Sequence, residues 1–250
     1  MIFKRFAANL RAQNWFAIGI EFAIVVAGVF VGTQVSNWNE VRIERAENER
    51  MLRNLKPEIV SMIGNFQSIQ DYYTITRRYA ATAFAGWRRD PKVDDRSFVL
   101  AAYQASQTYL TGVSGDTWSQ IYGSERLGTI EDRDVRKYLS LLMTTDYSVL
   151  EKEVDSDYRQ HVRQVIPDDV QDAIRDQCGD RTIEGTPGWL QLPETCELNL
   201  PSDRITVAAD ALRANPQLVG DLNWHIAAIA SYRANLANLS DISKKLLARL

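Results

Sequence analysis

The stretch WFAIGIEFAIVVAGVFVGTQV, Trp15 to Val35, decides how the rest of the chain is read. At 1.5 Å rise per residue it covers roughly 30 Å as a helix, the thickness of a bilayer's hydrocarbon core. Trp15 and Trp38 bracket it, as amphipathic rings do at the two water–lipid boundaries. The pattern predicts one membrane-crossing helix over 15–36. A cleaved secretory leader is the competing reading, because Lys4, Arg5 and Arg11 form a basic start and Phe22 to Gly32 has the length of a leader's apolar core. The run is longer than a leader requires and no convincing A-x-A site follows it, so a retained span is expected.

Two features inside the span bear on partners. Gly28 and Gly32 form G-x-x-x-G, and Ala23 with Ala27 is read as extending a row of small residues along which another membrane helix approaches closely. That helix belongs to another subunit or to a second copy of the chain. Glu21 is the intramembrane polar residue. An acid at the centre of hydrocarbon costs about 3 kcal/mol and normally faces protein, water or a counter-charge. Because it lies close to Trp15, it alternatively reaches the headgroups or takes up a proton.

Charge sets the orientation and excludes one class of partner. The 250 residues carry 29 Lys and Arg against 32 Asp and Glu, a net charge of -3. Lys4, Arg5 and Arg11 against Glu21 leave +2 in residues 1–35 and -5 in the remainder. A soluble part of that sign lacks the clustered cations that displace counterions from phosphates, which sets nucleic acid aside. The basic flank 1–14 predicts a short cytoplasmic N-terminus with the larger part outside the cytoplasm. Beyond the span, Arg42, Arg45, Arg50 and Arg53 alternate with Glu40, Glu44, Glu47 and Glu49, so that flank has no comparable excess. Cys178 and Cys196 flank a Gly- and Pro-bearing stretch and read either as a loop-closing disulfide of an oxidising compartment or as two thiols.

At the exit of the span stands Gly32-Thr33-Gln34-Val35-Ser36-Asn37-Trp38-Asn39-Glu40, followed by charged residues. It resembles a bacterial family of single-pass membrane proteins of unknown function, in which an apolar helix rich in Val, Ile and Gly runs into a Gln-x-Asn-Asn-Trp-Asn-Glu-like juxtamembrane motif. Ser36 stands where an Asn is usual. Farther on, Thr117-Trp118, the run Gly123 to Ile130 and Val135-Arg136 look like that family's aromatic, Ser/Gly, Leu, Ile, Leu-Arg stretch, and the C-terminal helix behind Asn215-Pro216 is similar in style. The resemblance implies a membrane-anchored helical ectodomain, and with the flank charge and the cysteines the expected location is the bacterial inner membrane with the domain in the periplasm. It supplies no activity and no catalytic residues.

After the motif, Leu52, Leu55, Ile59, Met62, Phe66, Ile69 and Tyr73 alternate by three and four, the seam of a helix packed on other helices. Residues 37–56 then read as a solvated helical stalk, with a kink or restart near Lys56 because Pro57 suits a first turn better than an interior. A helix is predicted from Ser97 to Leu110, closed by Gly112, with a short one near Thr117 to Tyr122. A long helix is predicted from about Asp132 to Val165, with Leu139, Leu142, Leu150, Val154, Tyr158 and Val162 on one face. Residues 178–203, rich in Gly and Pro, read as an irregular excursion. A helix from Ile205 to Ala214 and a last one from the Asn215-Pro216 break to the terminus follow. The last has a seam of Leu222, His225, Ile229, Tyr232, Leu236, Leu239, Ser243, Leu246 and Leu250. The expected fold is all-α: one transmembrane helix, then an antiparallel helical bundle over 57–250.

No phosphate loop, H-E-x-x-H, G-x-S-x-G or C-x-x-C occurs in the sequence. Of the two histidines, His225 falls on a seam and reads as a core residue, while His161 follows Asp157 by one turn and reads as a solvated pair. The acids around Glu151 to Asp157 and Asp168 to Asp176 lack the spacing of a calcium loop and read as charged helix faces. Neither a catalytic residue, a metal nor a cofactor is expected. The function expected is that of a non-enzymatic, membrane-anchored interaction protein, an accessory subunit of a larger complex or a homo-oligomer. The alternative is an extracytoplasmic ligand-binding or sensory bundle, with Tyr109 to Ile130 around its pocket.

Overall fold

The computed structural model describes residues 15–109, 115–123, 125–186 and 188–250, and is all-helical apart from one small hairpin. The chain divides into two compact units, Met1–Leu52 and Arg53–Leu250. Helix α1 (Trp15–Trp87) runs through both, 73 residues without interruption. The restart expected near Lys56 does not occur. Pro57 lies on the exposed side of α1, where water can serve the carbonyl that loses its amide donor. Leu55 and Ile59, both 0% exposed, hold the helix in the core on either side of it.

In the unit Arg53–Leu250, the α1 seam is buried at Leu55, Ile59, Met62, Phe66, Ile69 and Tyr73. Each such side chain contributes roughly 1.5–3 kcal/mol by leaving water. Helix α2 (Asp95–Gln104) starts where the Asp94 carboxylate accepts the Ser97 amide at 2.8 Å. It ends earlier than the periodicity suggested, at the Ala105 cap, and every position from Phe98 to Gln104 is buried. Leu110 and Gly112, expected to close it, lie outside the described residues. Helix α3 (Asp116–Gly123) and a 3-10 turn (Glu125–Thr129) follow.

The single helix expected over 132–165 is three: α4 (Arg133–Thr144), α5 (Tyr147–Val154) and α6 (Asp157–Val165). Short polar side chains compete with the helical ladder for backbone amides and end it. Asp146 turns its carboxylate onto the amides of Ser148 and Val149, at 3.0 and 3.3 Å, and Thr145 and Asp155 are extended. The apolar face survives the breaks, with Leu139, Leu142, Val154, Tyr158 and Val162 buried and Leu150 half-buried.

Pro167 opens α7 (Asp168–Cys178). The stretch 178–203 is less irregular than expected, because β1 (Arg181–Thr182) and β2 (Leu190–Gln191) pair antiparallel with Arg181 opposite Gln191. Cys178 and Cys196 are joined by a disulfide, Cα to Cα 5.7 Å, tying the end of α7 to the segment that enters α8 (Ser202–Arg213). After Asn215-Pro216, α9 (Gln217–Leu247) buries Leu222, His225, Ile229, Tyr232, Leu236, Leu239, Ser243 and Leu246. It packs on α4, α5 and α6, while α2 packs on α8.

Candidate functional site

The first part of α1 is long and apolar enough to cross a membrane, and none of its apolar window is buried within the protein. Every residue from Gly19 to Arg45 is exposed. Phe22 is 70% exposed and Phe30 62%, values a water-soluble core helix would not show. At Gly28 and Gly32 an added Cβ would meet nothing within 4 Å, so their small size serves no packing among the described residues.

Helical geometry corrects one expectation and adds another. At about 100° per residue, Ala23 and Ala27 sit about 140° round the helix from Gly28 and Gly32, so the four do not form one row. Glu21 instead shares the glycine face, seven residues before Gly28. The acid and the two glycines therefore form one stripe. Trp15 begins α1, and its side chain lies outside the described part. Trp38 is 66% exposed, with the Arg42 guanidinium 5.9 Å above its ring. At 1.5 Å per residue the two tryptophans are about 35 Å apart along the axis, the separation of two interfacial belts.

The larger unit contains a polar network that the sequence did not announce. Gln104 donates to the Cys178 carbonyl at 2.6 Å, and Gln107 donates to Gln104 Oε1 at 3.3 Å. Gln107 Oε1 in turn accepts from Arg163 Nη2 at 3.0 Å and Arg159 Nη1 at 3.4 Å. Arg159 also donates to the Ser106 carbonyl at 2.7 Å. The Arg163 guanidinium lies 4.8 Å above the Tyr103 ring. Tyr103 is 0% exposed and its hydroxyl has no hydrogen-bond partner, the Arg175 guanidinium lying near it outside hydrogen-bonding geometry.

Beside this network Tyr72 donates to Asp180 Oδ1 at 2.9 Å. Asp180 as a whole residue is exposed, yet desolvation of its carboxyl raises its pKa, against the pull of the Tyr72 bond and of Arg159 and Arg163. Tyr73 accepts the Tyr109 amide at 3.0 Å and donates to the Tyr109 carbonyl at 3.1 Å, and its ring meets Tyr72 and Tyr232 edge-on. Arg159 and Arg163 are one helical turn apart on α6, a spacing common on any solvated face. Only the tertiary fold, bringing Gln107 and Tyr103 beneath them, distinguishes the pair.

Other residues singled out from sequence are scattered. His161 pairs with Asp221 of α9 at 2.8 Å rather than with Asp157. His225 is buried, with Nδ1 2.8 Å from Ser156 Oγ and its ring stacked on Tyr158 at 5.8 Å. Desolvation, reinforced by the charge of Arg159, brings its pKa down to about 4. Asp168 and Asp172 pair with Arg175, and Asp169 with Arg204. Among the described residues, no group of three or more His, Cys, Asp or Glu side chains is arranged to hold a metal ion. Tyr72 and Tyr73 are core, whereas Tyr122 is 70% exposed and joins Trp118, Leu142, Met143 and Tyr147 around an open cleft of about 380 Å³. No protein-family model, curated protein or solved structure matches this chain.

Proposed function

We propose that this is a non-enzymatic, single-pass membrane-anchored interaction protein, whose span packs against a membrane helix of another subunit or of a second copy through the Glu21–Gly28–Gly32 face. One observation carries the reading: the apolar window of α1 is wholly unburied within the protein while holding an acid and two unfilled glycine positions on a single face. Apolar surface of that extent is stable in lipid or against a partner, and an intramembrane acid seeks protein or a counter-charge. The basic flank 1–14 favours a cytoplasmic N-terminus and a periplasmic helical bundle joined through 37–56, as in the single-pass bacterial family whose juxtamembrane motif this chain resembles. The disulfide suits that oxidising side.

The test is purification of the tagged full-length protein in mild detergent, with mass determination and identification of whatever stays bound. A stoichiometric complex or a homo-oligomer that Gly28→Leu and Gly32→Leu dissolve supports the reading. A monomer indifferent to both substitutions overturns it. The open cleft at Trp118 and Tyr122 favours a second reading, a ligand-binding bundle, for which the glycine substitutions would leave ligand affinity unchanged.

A further inference from the structure

Arg159 and Arg163 bring two guanidinium groups together on one acceptor. Between them they carry about ten N–H donors, and the protein engages few: Gln107 Oε1 takes one bond from each and the Ser106 carbonyl takes one more. Arg163 Nε is buried without a partner, and the Tyr103 ring lies beneath the same guanidinium. Among the described residues, neither arginine is ion-paired with a carboxylate. Asp180, the neighbouring acid, gives Oδ1 to Tyr72, and Arg175 is taken up by Asp168 and Asp172. Like charges one helical turn apart repel, and each is half-buried; the nearby acid that both feel is Asp180, whose Oδ1 is already taken by Tyr72. The chain Gln107 to Gln104 to the Cys178 carbonyl fixes the Gln107 amide with its oxygen toward the arginines, so Gln107 holds both guanidiniums in place without neutralising them.

We propose that Arg159 and Arg163, positioned by Gln107 and bordered by Tyr103, form a binding site for a phosphate-type oxyanion. The planar fork of arginine matches such an anion bidentately, and several oxygens on one centre can serve two forks at once. Arg159 and Arg163 are the ligand-touching residues, while Gln107 is a positioning residue. Free phosphate and the phosphomonoester of a larger solute present the same chemistry.

The experiment is thermal unfolding and calorimetric titration of the full-length protein in a neutral detergent, using inorganic phosphate and glycerol phosphate in separate arms, with potassium chloride at equal ionic strength as control. Saturable stabilisation and heat from either phosphate, absent with chloride, are expected. The arm with the tighter binding identifies the source. Arg163→Gln should weaken binding about tenfold or more, the loss of charge-assisted bonds to one fork. Gln107→Glu supplies a carboxylate from within the protein and gives an independent readout if Arg163→Gln fails to fold: melting should rise without phosphate, and the response to phosphate should disappear. The proposal is overturned if phosphate acts no differently from chloride, or if Gln107→Glu melts lower than the parent and still responds to phosphate.

Discussion

Replacing His225 by Leu should remove a specific part of the protein's sensitivity to acid. In the folded protein burial and the charge of Arg159 bring its pKa down to about 4, whereas an unfolded histidine titrates near 6.5. The folded state thus holds the neutral imidazole and the unfolded state takes up the proton first. Stability from this group is complete above about 6.5 and is lost as pH falls toward 4. Integrating proton uptake between pH 7 and pH 5, the unfolded state gains about 2 kcal/mol and the folded state almost nothing. Wild type should accordingly lose about 2 kcal/mol more than His225→Leu over that interval, whatever the variant's absolute stability. The other histidine, His161, is present in both proteins and cancels in the difference. The assay is urea unfolding of the detergent-solubilised full-length protein at pH 7, 6 and 5, followed by tryptophan fluorescence and extrapolated to water. Equal losses in the two proteins would refute the reasoning, because they would mean that the imidazolium finds a partner or solvent in the folded state.

Other perturbations test the packing that positions the networks. Glu58 of α1 accepts the Thr117 and Trp118 amides at 2.9 Å each and so caps α3 from another element; Glu58→Ala should cost about 2 kcal/mol and accelerate hydrogen exchange at those two amides. A Cβ on Gly86 would enter the Phe98 ring, so Gly86→Ala should destabilise by about 1–3 kcal/mol, read as a lower melting temperature and a shift in the fluorescence of Trp87, which meets Phe98 edge-on. Replacing both Cys178 and Cys196 by Ser opens a loop of sequence separation 18 and should cost about 3 kcal/mol, read as a lower denaturant midpoint with the helical circular dichroism unchanged.

Much of the fold is legible in the chain because helix periodicity is a local property. The seams from Leu55 to Tyr73 and from Leu222 to Leu246 fall on the buried sides of α1 and α9, since a three-and-four alternation of apolar residues has only one face to hide. Periodicity was a poorer guide to where helices stop. Asp146 and the Asp155-Ser156 pair divide one apolar face among α4, α5 and α6, and Pro57 fails to divide α1; in each case the outcome depends on which side of the helix meets water. An Asp that turns onto amides two and three residues ahead ends a helix without disturbing the apolar register.

That residues 15–36 are apolar at helical length, that the remainder is helical and acidic, and that no catalytic motif is present can be read along the chain alone, because composition and spacing are written along one dimension. Tertiary packing alone brings Gln107 and Tyr103 to Arg159 and Arg163. It also decided that His161 turns to Asp221 on α9. These are contacts between residues about 50 or more positions apart, and their energies depend on desolvation and on distances that no local pattern encodes.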